Sequence, residues 1–253
     1  PVADELTDLL DTDVKFASDT TGKSAKGVTN SLLTQKDGKY GLVDNVGTVI
    51  IDNQYEAIEP VSNQFENGYI IKNEEGKYGV INYTKTVAIE TNYDDIKNVY
   101  GNGKYYIVKE GDNWEVIDVE AKKYLSGEYD DIVSANGENA IVIKNDKYGV
   151  VGITDEKNII DIKYDNITYA TGNNYIVNNN GKFGIMNSEG NTPIDFNYSN
   201  IVYRRAGNFY EAMNDDYTSD LIDSDLSVKL SKVIVSELNE EKGYIKVRVD
   251  DID

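Results

Sequence analysis

Cysteine and histidine are both absent from this chain. Without cysteine there is no disulfide framework and no thiolate chemistry. Without histidine the usual general base and the commonest metal ligand are missing too. Proline is scarce at 3 residues, methionine at 2 and tryptophan at 1. No apolar run approaches the roughly 18 residues of a membrane helix, so no membrane insertion is expected. Basic residues are outnumbered: 25 Lys and Arg face 45 Asp and Glu, a net charge of −20. Such a surface repels phosphate backbones and anionic lipid, which argues against nucleic acid as a partner.

What is present is a β vocabulary. Hydrophobic residues make up 40% of the 253, and the load sits on Ile, Val and 20 tyrosines rather than on Leu and Phe. Branched and aromatic side chains fit a pleated, half-buried surface. Against that background one phrase recurs: Lys39-Tyr40-Gly41-Leu42-Val43, Lys77-Tyr78-Gly79-Val80-Ile81, Lys147-Tyr148-Gly149-Val150-Val151 and Lys182-Phe183-Gly184-Ile185-Met186. A looser copy stands at Trp114-Glu115-Val116-Ile117. About 15 residues after each aromatic comes a second marker, as in Tyr55-Glu56-Ala57-Ile58, Tyr93-Asp94-Asp95-Ile96, Tyr129-Asp130-Asp131-Ile132, Tyr164-Asp165-Asn166-Ile167 and Tyr198-Ser199-Asn200-Ile201. The aromatics are spaced 38, 36, 34 and 35 residues apart from Tyr40 to Phe183. A further step of 34 reaches Tyr217, which reads as a worn sixth copy with Thr218 in the glycine place.

Each copy reads as four short strands. Strand a is Tyr69-Ile70-Ile71-Lys72 and its counterparts; strand b carries the aromatic–glycine phrase; strand c is Val49-Ile50-Ile51 or Val87-Ala88-Ile89; the Tyr-Asp-Asp-Ile phrase opens strand d. The connections are hairpin-length and rich in Asn, Asp and Gly, which tolerate positive φ. The unit is therefore an antiparallel meander. In the last copy Lys232-Val233-Ile234-Val235 is expected as strand d, and Tyr244-Ile245-Lys246-Val247-Arg248-Val249 as a surplus strand a able to complete the first sheet. Residues 1–30 lie outside the repeat and read as an N-terminal cap or linker, with a short helical stretch at Asp4–Leu10; residues 31–253 form the repeat domain.

These residues resemble the bacterial WG-repeat family, named for a Trp-Gly, here mostly Tyr-Gly or Phe-Gly. The resemblance covers roughly residues 31–230 and departs at Glu115 and Thr218. It implies a bacterial, non-catalytic module with no shared catalytic residues. A unit of about 35 residues cannot bury its apolar face alone, so copies must stack. The expectation is all-β: about six tandem four-stranded meanders in a propeller-like ring, with an open β-solenoid as the alternative.

The recurring acids are the most tempting chemistry. Asp94, Asp95, Asp130 and Asp131 could gather on one face as hard oxygen ligands for calcium. Acids beside turns more often accept backbone N–H bonds, and no EF-hand or glycine–aspartate nonapeptide pattern is present, so no metal and no cofactor is expected. A glycosidase needs two non-equivalent carboxyls across a cleft, whereas acids that recur with a repeat are equivalent, so no enzyme is expected. Tyr40, Tyr78 and Tyr148 should pack between sheets. Off-register aromatics, Tyr83, Tyr100, Tyr169 and Tyr203, are the better surface candidates, and Arg204-Arg205 is conspicuous in so acidic a chain.

The composite expectation is a monomeric binding scaffold that presents Asp94, Asp95, Asp130, Asp131, Tyr100, Tyr169 and Tyr203 to a protein partner. A carbohydrate-binding module for envelope glycans is the alternative. The expected place is outside the cell or in the envelope of a bacterium, with the cytoplasm the alternative; the chain starts at Pro1 rather than Met, compatible with removal of a leader or anchor.

Overall fold

A computed structural model of the chain describes residues 15–16, 31–44, 46–60, 68–81, 87–97, 104–125, 129–239 and 244–249. The expected helix at 4–10 and Tyr83 and Tyr100 lie outside them. Among the described residues the regular structure is all strand, arranged in six antiparallel sheets. The first is β1 (Lys15–Phe16), β2 (Ser31–Lys36), β3 (Lys39–Asp44) and β4 (Val49–Tyr55). The second is β5 (Ala57–Pro60), β6 (Tyr69–Lys72), β7 (Tyr78–Ile81) and β8 (Val87–Tyr93). The third is β9 (Asp95–Lys97), β10 (Tyr105–Glu110), β11 (Asn113–Asp118) and β12 (Lys123–Tyr124). The fourth is β13 (Asp131–Asn136), β14 (Asn139–Lys144), β15 (Lys147–Gly152) and β16 (Asn158–Tyr164). The fifth is β17 (Asn166–Thr171), β18 (Asn174–Asn179), β19 (Lys182–Asn187) and β20 (Ile194–Tyr198). The sixth has five strands: β21 (Asn200–Arg204), β22 (Phe209–Met213), β23 (Ser219–Asp223), β24 (Val228–Asn239) and β25 (Tyr244–Val249).

This order shifts the frame expected from sequence. Strand d does not close its own meander; it opens the next sheet. Tyr93 ends β8 in the second sheet, while Asp95, two residues on, begins β9 and pairs with Lys109 of the third. Each sheet is thus completed by a strand handed on from the copy before. The first sheet follows the same rule through β1, whose Phe16 pairs with Thr34. That is the register place of Ile58, Ile96, Ile167 and Ile201 in later sheets. Lys15–Phe16, expected within a cap or linker, therefore belongs to the first sheet by backbone pairing.

The two sequence markers keep step because they face each other. Tyr40 pairs with Tyr55, Tyr78 with Tyr93, Tyr148 with Tyr164 and Phe183 with Tyr198 across strands b and c. Just beyond each pair strand b advances two residues while strand c advances four, a bulge that sets strand c directly over the intervening glycine. A Cβ on Gly79 would stand 2.5 Å from the Ile89 carbonyl oxygen, and one on Gly149 2.5 Å from Ile162 Cγ1 and 2.9 Å from the Ile160 oxygen.

The copies without glycine solve this differently. In the third sheet Glu115 occupies the place, strand c shrinks to the two residues of β12, and Lys123 from that strand lies 2.9 Å from Glu115 Oε2. In the sixth the register corrects the alignment by two residues. Ser219, paired with Val233, stands in the aromatic place, so Asp220 rather than Thr218 stands in the glycine place. Its carboxylate accepts hydrogen bonds from the Lys232 amide at 2.9 Å and from the Tyr198 hydroxyl at 2.9 Å. Tyr217 is a turn residue, 94% exposed with φ +66°. Lys232–Val235, expected as strand d, lies in β24 as strand c, and β25 pairs with β24 in the last sheet rather than completing the first.

Two compact units divide the chain, residues 1–140 and 141–253. In the first unit, one core joins Leu42 and Ile51 to Tyr69, Ile71 and Ile81, and a second joins Ile70, Val80 and Ile89 to Tyr106, Val108 and Ile117. In the second unit, Ile141, Val150 and Ile160 meet Tyr175 and Val177, and Ile176 and Ile185 meet Tyr210, Ala212 and Ile222. Sheets therefore stack face to face. Strands a and b are buried on both faces and read as continuous apolar runs, such as Tyr105-Tyr106-Ile107-Val108; outer strands c alternate, as β16 does. Period-two alternation is thus a property of the outer strands.

Because backbone is what a new side chain at Gly79 would meet, Gly79→Ala should destabilise the protein by about 1–3 kcal/mol, the usual cost of overpacking. Gly149→Val should cost at least as much. Urea unfolding measures both, and an unchanged midpoint would mean strand c can withdraw freely.

Candidate functional site

The recurring acids sit at the joint between one sheet and the next. Asp94 immediately follows strand c, and its amide donates to the Lys109 carbonyl at 2.8 Å. Its Oδ1 lies 2.5 Å from Lys77 Nζ, on strand b of the preceding sheet, and its Oδ2 accepts from the Gly111 amide at 2.8 Å, in the a–b turn of the following one. Asp165 repeats this with Lys147 Nζ at 2.6 Å and the Asn180 amide at 2.6 Å. Glu56 takes Lys39, which also lies 2.5 Å from Glu74 in the next a–b turn. The fifth copy has Ser199 instead of an acid, and Lys182 reaches Asp215 at 2.6 Å in the turn of the sixth sheet. The lysine of the first marker and the acid of the second thus form one clasp across the joint. Lys77 and then the Gly111 amide hold the Asp94 carboxyl below its ordinary value; Lys147 and the Asn180 amide do the same for Asp165.

The other acid candidates have separate surroundings. Asp95 is exposed and accepts from the Ile96 amide at 2.8 Å. Asp130 is exposed. Asp131 is half-buried and paired with Lys97, whose Nζ also donates to the Ile132 carbonyl at 2.9 Å and stands 4.0 Å from the centroid of the single tryptophan, Trp114. Among the described residues no three acids gather in a way that could hold a metal ion. Other acids cap b–c turns: Asp44 Oδ1 accepts from the Val46 and Thr48 amides, and Asp118 Oδ1 from those of Glu120 and Lys122. Burial pushes the Asp118 carboxyl up, but those two amides, the Tyr124 hydroxyl and the Lys122 charge together hold it low. Glu74, Glu138, Asp216 and Asp225 are likewise moved down, the first two by lysines and the others by hydroxyl and amide donors. A general acid needs the opposite shift.

Tyr169 and Tyr203 hold one and the same register place, opposite Tyr175 and Tyr210. Both are half-buried, and their hydroxyls donate to the Gly172 carbonyl at 3.0 Å and to Asn208 Oδ1 at 2.7 Å. Tyr78 and Tyr148 pack half-buried against the cores, whereas Tyr69, Tyr106, Tyr175 and Tyr210 are almost wholly enclosed in them. That second set was open to sequence reading, since each stands at the start of strand a, two residues before the partner of the glycine place. Arg204 pairs with the buried Glu211 at 2.7 Å.

The clasp makes a pH prediction. A carboxyl held low in the folded state contributes stability above its unfolded value, and that contribution is lost as pH falls through the folded one. Asp94→Asn with Asp165→Asn should therefore be less stable than the parent at pH 7. The gap should narrow below about pH 4, where the parent's own carboxyls protonate. Urea midpoints at pH 7 and pH 3 measure it, and a constant gap would remove the clasp from the account.

The family model described as WG containing repeat matches residues 40–78, 78–114 and 154–183. No curated protein matches the chain in sequence. Among solved structures, Hsv2 of Kluyveromyces lactis is similar at 10% identity, over 83% of this chain and 73% of that one, with a TM-score of 0.46. A structure titled as the eukaryotic initiation factor is 10% identical over 92% of this chain and 69% of that one, TM-score 0.48. PorZ of Porphyromonas gingivalis, a bacterial surface component of the type-IX secretion system, is 12% identical over 95% of this chain and 40% of its own, TM-score 0.40. The first two family matches run from the aromatic of one hairpin to the aromatic of the next, across the joint between sheets, and the matched segments of this chain are WG-type repeats.

Proposed function

We propose that this protein is a non-catalytic binding scaffold of a bacterial envelope or exterior, offering an acidic repeat surface to a basic protein. The observation that carries the reading is the division of labour among the acids. The first acid of a marker, such as Asp94 or Asp165, is spent on the joint between sheets, while the second acid of the same marker, Asp95, stands exposed beside it in a chain of net charge −20. Repetition places like charge at like positions, which suits broad electrostatic attraction more than chemistry at one centre. The absence of histidine and cysteine, and carboxyls moved down rather than up, support the non-catalytic half. Tyr169 and Tyr203, their hydroxyls engaged within their own hairpins, favour protein over glycan.

We also infer a closed ring of sheets rather than an open array. Supporting this reading, the described strands form six sheets, a number at which four-stranded meanders close into a ring. Small-angle scattering tests it, with a radius of gyration of roughly 18 Å expected for a compact chain of this length and a rod-like profile counting against it.

For binding, the probe is envelope extract passed over the immobilised protein, with a glycan array beside it. Retained basic proteins should elute as salt shrinks the Debye length below about 8 Å. Asp95→Asn should weaken retention several-fold while leaving the melting temperature in place. Retention indifferent to both would sink the acidic-surface reading, and array binding lost with Tyr169→Ala would move the function to glycans.

A further inference from the structure

We propose that a cleft in the sixth sheet takes an arginine side chain of a partner protein. It shares no residue with the acidic surface of the proposed function and does not rest on it. The cleft has a volume of about 250 Å³, and every residue lining it is among the described ones. Phe209 of β22, Leu221 of β23, Leu230 of β24 and Ile245 of β25 form apolar walls, with Asp223 and Lys229 beside them. A bend in β24 creates this enclosure. Ile245 pairs with Leu238, which would lie about 26 Å from Leu230 along an extended strand. Leu230 and Ile245 nonetheless wall the same cleft, so β24 bends back between them. Its register with β23 shifts between Leu230 and Val233, and Lys232 there has φ +52°. The Phe209 ring lies against bare backbone: a Cβ on Gly207 would stand 2.5 Å from Phe209 Cε1. Leu230 is 40% exposed, so the cleft opens to solvent.

The charges at its mouth select the occupant. Asp223 Oδ1 accepts from the Ser224 amide at 2.6 Å, and Asp225 Oδ1 from the Ser227 amide at 2.9 Å. The two Oδ2 atoms face Lys229 Nζ at 3.5 and 3.8 Å. Those distances exceed the roughly 2.7–2.9 Å of a charge-assisted hydrogen bond. Two carboxylates against one ammonium leave the mouth negative. A wholly apolar occupant would strip water from these groups without replacing its hydrogen bonds. An anion would be repelled by both carboxylates. An arginine meets both halves of the cleft. Its stem can lie along the apolar walls, as long basic side chains do on protein surfaces, and its planar fork can hold two carboxylate oxygens at once. The space suffices, since an apolar cavity of about 150 Å³ houses a benzene ring. Lys229 is then a resident competitor that the incoming guanidinium displaces.

The probe is N-acetyl-arginine amide, titrated into isotopically labelled full-length protein while amide NMR shifts are followed. Saturable shifts are expected, largest at Phe209, Asp223, Lys229, Leu230 and Ile245. N-acetyl-citrulline amide, similar in shape but uncharged, should bind at least about tenfold more weakly, the scale of losing a charged hydrogen-bond partner. Asp223→Asn with Asp225→Asn keeps an acceptor for each turn amide and removes the charge, and should also cost the arginine probe roughly tenfold. Lys229→Met removes the competitor and should tighten binding several-fold. Shifts spread over the other sheets, equal binding of the citrulline probe or of N-acetyl-lysine amide, or a Lys229→Met that fails to tighten binding would each overturn the assignment. The parent protein carries the comparison of the three probes by itself, so a variant that fails to fold does not shield the proposal.

Discussion

The carbonyl oxygens of Ile51, Ile89 and Ile194 lie 2.6, 2.5 and 2.7 Å from where a Cβ would stand on Gly41, Gly79 and Gly184. That approach is what lets strand c bulge, and the bulge decides where strand c ends. Two extra residues on strand c bring a tyrosine opposite the aromatic of strand b. The chain then leaves the sheet at that tyrosine, places an acid beside the lysine of strand b, and enters the next sheet. Aromatic pair, clasp and handover thus hang on one missing side chain. Where the glycine is replaced, the geometry gives way in proportion. Glu115 is accompanied by a strand c of two residues and an ion pair to Lys123. Asp220 keeps a smaller bulge by using its own carboxylate to cap the Lys232 amide.

Charge has a double role in so acidic a chain. A net charge of −20 destabilises any compact state by self-repulsion, yet the lysines are not scattered against it. Lys39, Lys77, Lys147 and Lys182 stand where two sheets and a turn converge, each next to a carboxylate. Exposed pairs of this kind contribute little one at a time. Their value here is geometric: the carboxylate that takes the lysine at the Asp94 and Asp165 joints also holds a turn amide, so each fixes the angle at which a new sheet begins.

Strand content, hairpin turns, the repeat and its family were legible because periodicity and turn chemistry are local. The 15-residue interval between markers was legible as a number, while its cause, two residues facing each other across a bulged hairpin, required the register. The boundary between sheets was misplaced for the same reason: Asp94 and Ile96 look like one uninterrupted phrase in sequence, and nothing local says that hydrogen-bond partners change there. The sixth copy was misaligned by two residues because Tyr217 imitates the aromatic while Asp220, a polar residue, does the work of a glycine. Tyr169 and Tyr203 looked off-register because only the strand register sets them opposite Tyr175 and Tyr210. Phe16 was passed over because its phrase shares no residue with the others, only a place. Of the candidate acids, their recurrence was visible; their separate surroundings depend on which lysine or amide each one meets.

The handover of one strand per copy separates the unit of inheritance from the unit of packing. The stretch from Tyr40 to Tyr78 begins inside one sheet and ends inside the next, so a duplication of it at the level of the gene inserts strands b and c of the old sheet and strands d and a of a new one. Both cut ends then meet partners identical to those they left. Arrays of this design can lengthen or shorten by whole copies without inventing a new joint between one sheet and the next.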